Sequence, residues 1–222
     1  MTELTVAIGL IIVLLAILFP TVARVRESAR QTACASNLRQ LGVAFSGYAA
    51  GNRGYIPRGG GYRGLRGPNW VAAIGHWLKR GGLTAWSDLP EISVLQCPAH
   101  PTADIPSAFV MNAFAFETSP AWQAAAASRV ADVRNPSDVP LLLETPDLFG
   151  VAHQFFDDIF FEPEHVAFAP KHLPRAASQR ISDTRHRARF ANVLFFDGHV
   201  ASVSKDELTL ERFDDRPPGG RR

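Results

Sequence analysis

The sequence predicts an α+β fold in which one long N-terminal helix packs on an antiparallel β-sheet with long loops. Three observations carry this. An uncharged apolar run opens the chain from Leu4 to Phe19. Apolar residues then recur at three- and four-residue steps as far as Tyr48, the period of an amphipathic helix. Beyond that point short apolar runs are separated by Gly, Pro and Asp, the punctuation of strands and turns.

The 222 residues suit an anchor followed by one globular domain large enough to bury a core. With 46% hydrophobic and 20% charged residues, most of that domain should fold, and the many Gly and Pro residues signal loops. A net charge of +2 does not fit a nucleic-acid binder, which needs a clustered basic face, so no nucleic-acid partner is expected. The two cysteines, Cys34 and Cys97, form one disulfide or stay as two separate buried thiols; structural zinc normally takes four ligands.

Sixteen helical residues from Leu4 to Phe19 span about 24 Å, slightly short of a hydrocarbon core of about 30 Å. Met1 and Thr2, or residues further upstream, would supply the rest. A cleaved signal peptide should open with positive charge, whereas the earliest charge here is Glu3. A carboxylate at the edge of an apolar stretch is costly unless it reaches the headgroups or finds a partner. Glu3 therefore either snorkels or pairs with the amino terminus of a neighbouring subunit. Arg24, Arg26 and Arg30 follow the segment, so the positive-inside rule places the domain in the cytoplasm unless a basic leader precedes Met1. Pro20 is expected to kink the helix. Val22, Val25, Ala29, Ala33, Leu38, Leu41, Phe45 and Tyr48 are its expected domain-facing stripe.

Several spaced segments resemble a known family. Met1-Thr2-Glu3-Leu4 is similar to the end of the prepilin-type N-terminal methylation motif, and Pro20 stands where that family has its helix proline. Ala23 to Arg30 (ARVRESAR) and Cys34 to Gly42 (CASNLRQLG) resemble blocks of a pilin-like subfamily of planctomycetes and related bacteria. Leu95-Gln96-Cys97-Pro98, and Ser107 to Asn112 within a strand expected over 107–116, match further elements of it. The cleavage-site Gly and the Phe-Thr after it are absent. The expectation is that Met1 is internal and a basic leader precedes it, which also resolves the charge conflict. The resemblance implies a pilin-like fold: a transmembrane helix over 1–22, an amphipathic continuation over 23–50, an extracytoplasmic α+β domain over 51–212 and a disordered tail over 213–222.

Further along, a short helix is expected over 70–80, a surface helix over 121–128 and a buried strand over 139–144 ending at Glu144. Glu144 is a possible site residue or simply a satisfied strand-end carboxylate. His153 to His165 gathers two histidines, two aspartates and two glutamates, with His153 and Asp157 on one helix face. Pro163 interrupts any continuous helix, and no metal-ligand spacing such as His-Glu-x-x-His occurs. Solvated charges are the expected reading there. Ser204-Lys205-Asp206-Glu207 fits a capping box opening a last helix to about Phe213.

Asp197-Gly198, flanked by two short apolar runs, predicts a tight hairpin turn with positive φ at both central residues. The segment resembles a prepilin-associated motif in which a histidine precedes Asp-Gly by nine residues; here ten separate His186 from Asp197. Three roles are weighed for His186, Asp197, Gly198 and His199: a network bonding a histidine to Asp197, a calcium site at Asp197, or His-Asp catalysis. The structural network is preferred, because no Ser or Cys nucleophile sits in a recognisable motif. No cofactor and no enzymatic activity are expected. The function implied is a subunit or accessory of a type II secretion or type IV pilus-like system in the bacterial inner membrane. Its partners would be other pilin-like subunits through the N-terminal helix, membrane lipid and the assembly machinery. The alternatives are a membrane-tethered binding domain that forms no filament, and a tethered hydrolase using the 153–165 cluster.

Overall fold

The structure is a computed structural model that describes residues 2–57, 70–78, 91–101, 107–112, 128–133, 135–145, 160–161, 182, 185–186 and 190–213. It is an α+β fold with a long N-terminal helix. Helix α1 (Thr2–Gly51) is followed by β1 (Tyr55–Ile56), α2 (Trp70–Leu78), β2 (Phe109–Asn112), β3 (Ser128–Arg129), β4 (Pro140–Glu144), β5 (Phe160–Phe161), β6 (Phe190–Phe195), β7 (Val200–Ser204) and α3 (Leu210–Phe213).

The main sheet runs β5-β2-β4-β6-β7. Its four central and C-terminal strands are antiparallel, and β5 adds to β2 in parallel. A separate ribbon pairs β1 with β3. The expected surface helix over 121–128 meets the described residues only at Ser128, which is in that ribbon. Of the acidic 153–165 segment only Phe160 and Phe161 are described, and they form a strand; its His, Asp and Glu residues lie outside the described residues, as does the tail over 214–222.

Helix α1 is continuous through Pro20. Proline removes one backbone donor. One residue on, the Thr21 hydroxyl lies 3.0 Å from the Ile17 carbonyl and 2.7 Å from the Leu18 carbonyl, a local bond back onto the preceding turn. The outer half of α1 packs on none of the described strands or core residues: its large apolar residues from Leu4 to Phe19 are 43–72% exposed. The inner half buries one seam, Cys34, Leu38, Leu41 and Phe45, with Glu27 and Gln31 as its partly buried N-terminal continuation. From Glu27 to Phe45, spacings of 4, 3, 4, 3 and 4 residues put these on one face. Val22 and Val25, expected on that face, are exposed, as is Ala29. They are offset from the seam by about half a turn, so the apolar stripe read from sequence mixes two faces.

Strand β4 reads as a continuous apolar run because both sides of the sheet are covered. Leu142 on β4, Met111 and Phe109 on β2, and Leu194 on β6 join the α1 seam in the larger core, with Trp70 of α2 stacked on Phe45. Val110, Leu143, Val193 and Phe195 point to the opposite side, under Leu208 and Phe213. Alternation along β4 places Glu144, two residues past Leu142, on the helix-facing side of the sheet. The C-terminal helix is shorter than expected. Ser204 pairs with Phe190 as the last residue of β7, so its backbone is committed to the ladder, and a 3-10 turn over Lys205–Glu207 precedes α3.

The β6–β7 hairpin corrects one expectation. Only Gly198 has positive φ (+90°); Asp197 does not. The Gly198 amide donates to the Phe195 carbonyl, and the Phe195 amide donates to the His199 carbonyl. This is the longer connection in which a turn is followed by a left-handed glycine, rather than a two-residue turn needing two left-handed residues.

Candidate functional site

A buried polar cluster lies between the inner half of α1 and the ends of β4 and β6. Glu144 is its centre and is 0% exposed. The antiparallel register that pairs Leu142 with Leu194 brings Asn192 opposite Glu144 two residues further on. The Asn192 amide donates to Glu144 Oε2 at 3.2 Å, and its Nδ2 lies 3.4 Å from Oε1. Asn192 Nδ2 also reaches the Gln31 carbonyl of α1 at 3.2 Å, and Gln31 Nε2 donates to Ser202 on β7.

His186, also 0% exposed, faces Glu144 from just before β6. Reciprocal backbone bonds with Phe190 hold it there. Its Nε2 is 2.8 Å from Glu144 Oε1, and its Nδ1 is 3.4 Å from Glu27 Oε1 on α1. Burial lowers the imidazole pKa, but the Glu144 hydrogen bond and charge, with a further bond to Glu27, outweigh burial and the opposing Arg185 charge, and the net shift is upward. His186 is thus favoured as an imidazolium bridging two carboxylates. Arg185 donates to the Thr145 carbonyl immediately after β4.

The same cluster contains a disulfide. Cys34 on α1 is bonded to Cys97, and both are buried. Asn37, one turn along α1, donates to the Ser93 and Gln96 carbonyls and fixes the segment that presents Cys97. Cys97 Sγ is 3.6 Å from Glu144 Oε1. A disulfide sulfur has no proton to give, so in this state two acceptors face each other. Potential ligand atoms of Cys34, Cys97, Glu144 and His186 all lie within 4.8 Å of one another, the one such group of three or more among the described residues.

The residues singled out from sequence are therefore split between places. Glu3 lies in the exposed first turn of α1, in the half whose large apolar residues are exposed. Asp197, Gly198 and His199 form the hairpin tip. There Asp197 Oδ1 accepts from the His199 amide and lies 2.6 Å from its Nδ1, and the imidazole stacks on Phe195. His199, not His186, is the histidine at Asp197; His186 belongs to the Glu144 cluster. Asp197 is not in a group of three or more potential ligands among the described residues. Glu27, Gln31 and Asn192 carry no catalytic motif in sequence, and none was singled out; the signal available was a run of polar residues at seam positions of α1 and one Asn inside an apolar strand.

This cluster can hold a proton between carboxylates and lock α1 to the sheet. As it stands it offers no nucleophile, since both sulfurs are bonded. Neither the curated proteins nor the solved structures contain a match. Residues 23–137, just over half of the chain and including Glu27, Cys34 and Cys97, match a family described as proteins of unknown function (DUF1559), and the chain belongs to that family.

Proposed function

We infer that the protein is a pilin-like, non-enzymatic subunit or accessory of a type II secretion or type IV pilus-like assembly, held in the bacterial inner membrane by α1 with its domain outside the cytoplasm. One observation carries the reading. Half of a single unbroken helix is the wall of a folded domain, and the other half is an apolar rod left exposed by the described residues. It is long and apolar enough to cross a membrane. Such a rod needs lipid or other apolar helices around it.

Two further features support this. The Cys34–Cys97 disulfide suits an oxidising, extracytoplasmic compartment. A shallow groove along α1, lined by Val25, Ser28, Ala29, Thr32, Ala33 and Ser36, continues the apolar rod on the side away from the sheet. Small residues there let a neighbouring helix approach closely. Photocrosslinkers placed one at a time from Val6 to Leu18 test the proposal in membranes. Periodic self-crosslinks along one face support assembly. Crosslinks to lipid alone would leave a lone tether carrying a binding domain.

A further inference from the structure

The disulfide lies in a setting that suits a metal as well as it suits a bond. Cys34 and Cys97 come together with one imidazole and one carboxylate, and all four residues are buried. Two thiolates, a histidine nitrogen and a carboxylate oxygen make up a tetrahedral zinc set. The four come from four separate segments: the α1 seam, the turn before Pro98, the end of β4 and the lead into β6. Three of them are fixed by contacts that do not involve the sulfurs. Asn37 holds the Cys97 segment, Asn192 holds Glu144, and the Phe190 backbone holds His186.

A second layer is also present. Metal-bound histidines commonly donate their other ring N–H to a carboxylate, which fixes the ring and its tautomer. Here Nε2 faces the cluster while Nδ1 points at Glu27. Glu27 is therefore placed where the outer partner of a metal-bound His186 would be. In the oxidised protein, the proton on Nε2 fills the space between His186 and Glu144, and Cys97 Sγ faces Glu144 acceptor to acceptor. A cation bound there would remove that mismatch.

We propose that when the Cys34–Cys97 bond is reduced, the protein binds one zinc ion through Cys34, Cys97, His186 and Glu144, so that disulfide and metal are alternative states of one site. With a phosphine as reductant, two electrons pass from phosphorus to the disulfide. The S–S bond breaks, the phosphine becomes its oxide with oxygen from water, and two thiols form. Zinc then binds both thiolates, the freed Nε2 and a Glu144 oxygen, and the two thiol protons and the Nε2 proton pass to solvent. The Nδ1 proton stays on the ring and is donated to Glu27. The change of state involves only ligand side chains, so the sheet and α1 remain docked in both. This inference is independent of whether the chain assembles.

The full-length chain in detergent, reduced anaerobically with a water-soluble phosphine until two thiols titrate, is exposed to zinc or cobalt alone and freed of unbound metal. One equivalent of zinc is expected on the reduced chain in excess of the oxidised chain. The cobalt form should show thiolate-to-cobalt charge transfer with a tetrahedral ligand-field band. Glu27→Gln, at a partly exposed position outside the ligand set, should lower zinc affinity about 10–100-fold while leaving the circular dichroism of the oxidised chain unchanged. Equal metal on oxidised and reduced chains would overturn the proposal. So would thiolate–cobalt spectra whose ligand-field band is the same in His186→Gln and Glu144→Gln, since the thiols would then act without the other two residues.

Discussion

Removing the disulfide gives the sharpest stability prediction. Cys34 and Cys97 are 63 residues apart in sequence, so their bond closes a long loop in the unfolded chain. Loop-closure entropy scales as about 2.1 + 1.5R ln n cal/mol/K, which for that length is roughly 14 cal/mol/K, or about 4 kcal/mol at 25 °C. Native domains are stable by about 5–15 kcal/mol, so the loss is a large share of the total. The double variant Cys34→Ala/Cys97→Ala removes the bond without leaving a lone thiol beside Glu144. In urea unfolding of the detergent-solubilised chain, followed by tryptophan fluorescence, the midpoint should fall by about 1.5–2 M at a slope of about 2–3 kcal/mol/M. Trp70 is buried against Phe45 and reports on the same core. A loss below about 1 kcal/mol would refute the reasoning, because it would mean that the covalent link adds little to contacts that already hold the loop ends together.

The remaining predictions concern the same seam and the rod. Glu144→Leu leaves His186 and the Asn192 amide without their buried partner and should cost about 3–5 kcal/mol by the same assay. In the disulfide-bonded chain, the groups facing His186 are Glu144, Glu27 and Arg185, and its folded-state pKa lies above the ordinary 6.5. That stabilisation is fully present below about pH 6.5 and is lost as pH rises through the folded value, a decline that His186→Gln should flatten in a pH series of urea midpoints. A Cβ at Gly42 would come 3.0 Å from the fully buried Leu194 side chain, so Gly42→Ala should lower stability by about 1–2 kcal/mol despite a better helix propensity. At Gly47 the neighbour is Trp77, which is 58% exposed and free to swing away, so Gly47→Ala should be neutral or slightly stabilising. Glu3→Ala should still insert into membranes but fail to join an assembly, measured by co-purification of tagged and untagged copies.

The long helix, the strand expected over 139–144, the last hairpin and the part of the strand expected over 107–116 that lies within the described residues, Phe109–Asn112, are legible in sequence; 113–116 lie outside the described residues. Leu38, Leu41 and Phe45 repeat at helical steps, and the apolar run at Leu141 to Leu143 suits a strand covered on both faces. What local patterning hid was the buried cluster. Its members lie at positions 27, 34, 97, 144, 186 and 192, and only the tertiary fold brings them together. Glu27 and Gln31 look like ordinary surface polar residues after a membrane segment; that they extend the buried seam depends on the helix phase, which Val22 and Val25 obscured. The motif resemblance leaves His186 and His199 both open as the partner of Asp197; in the fold His199 takes that place and His186 meets Glu144. The hairpin type was missed because Asp-Gly suits both a two-residue turn and the longer connection seen here, and the choice rests on where the β6–β7 ladder ends.

In the proposed function, α1 crosses the inner membrane and carries its domain to the oxidising side. Protease protection tests this most directly: the chain is expressed in bacteria, and spheroplasts are compared with inverted membrane vesicles, with thiols trapped before lysis. The domain after Arg24 should be cleaved in spheroplasts and protected in inverted vesicles, with Cys34 and Cys97 joined. The opposite pattern, a domain protected in spheroplasts and bearing two free thiols, would contradict it.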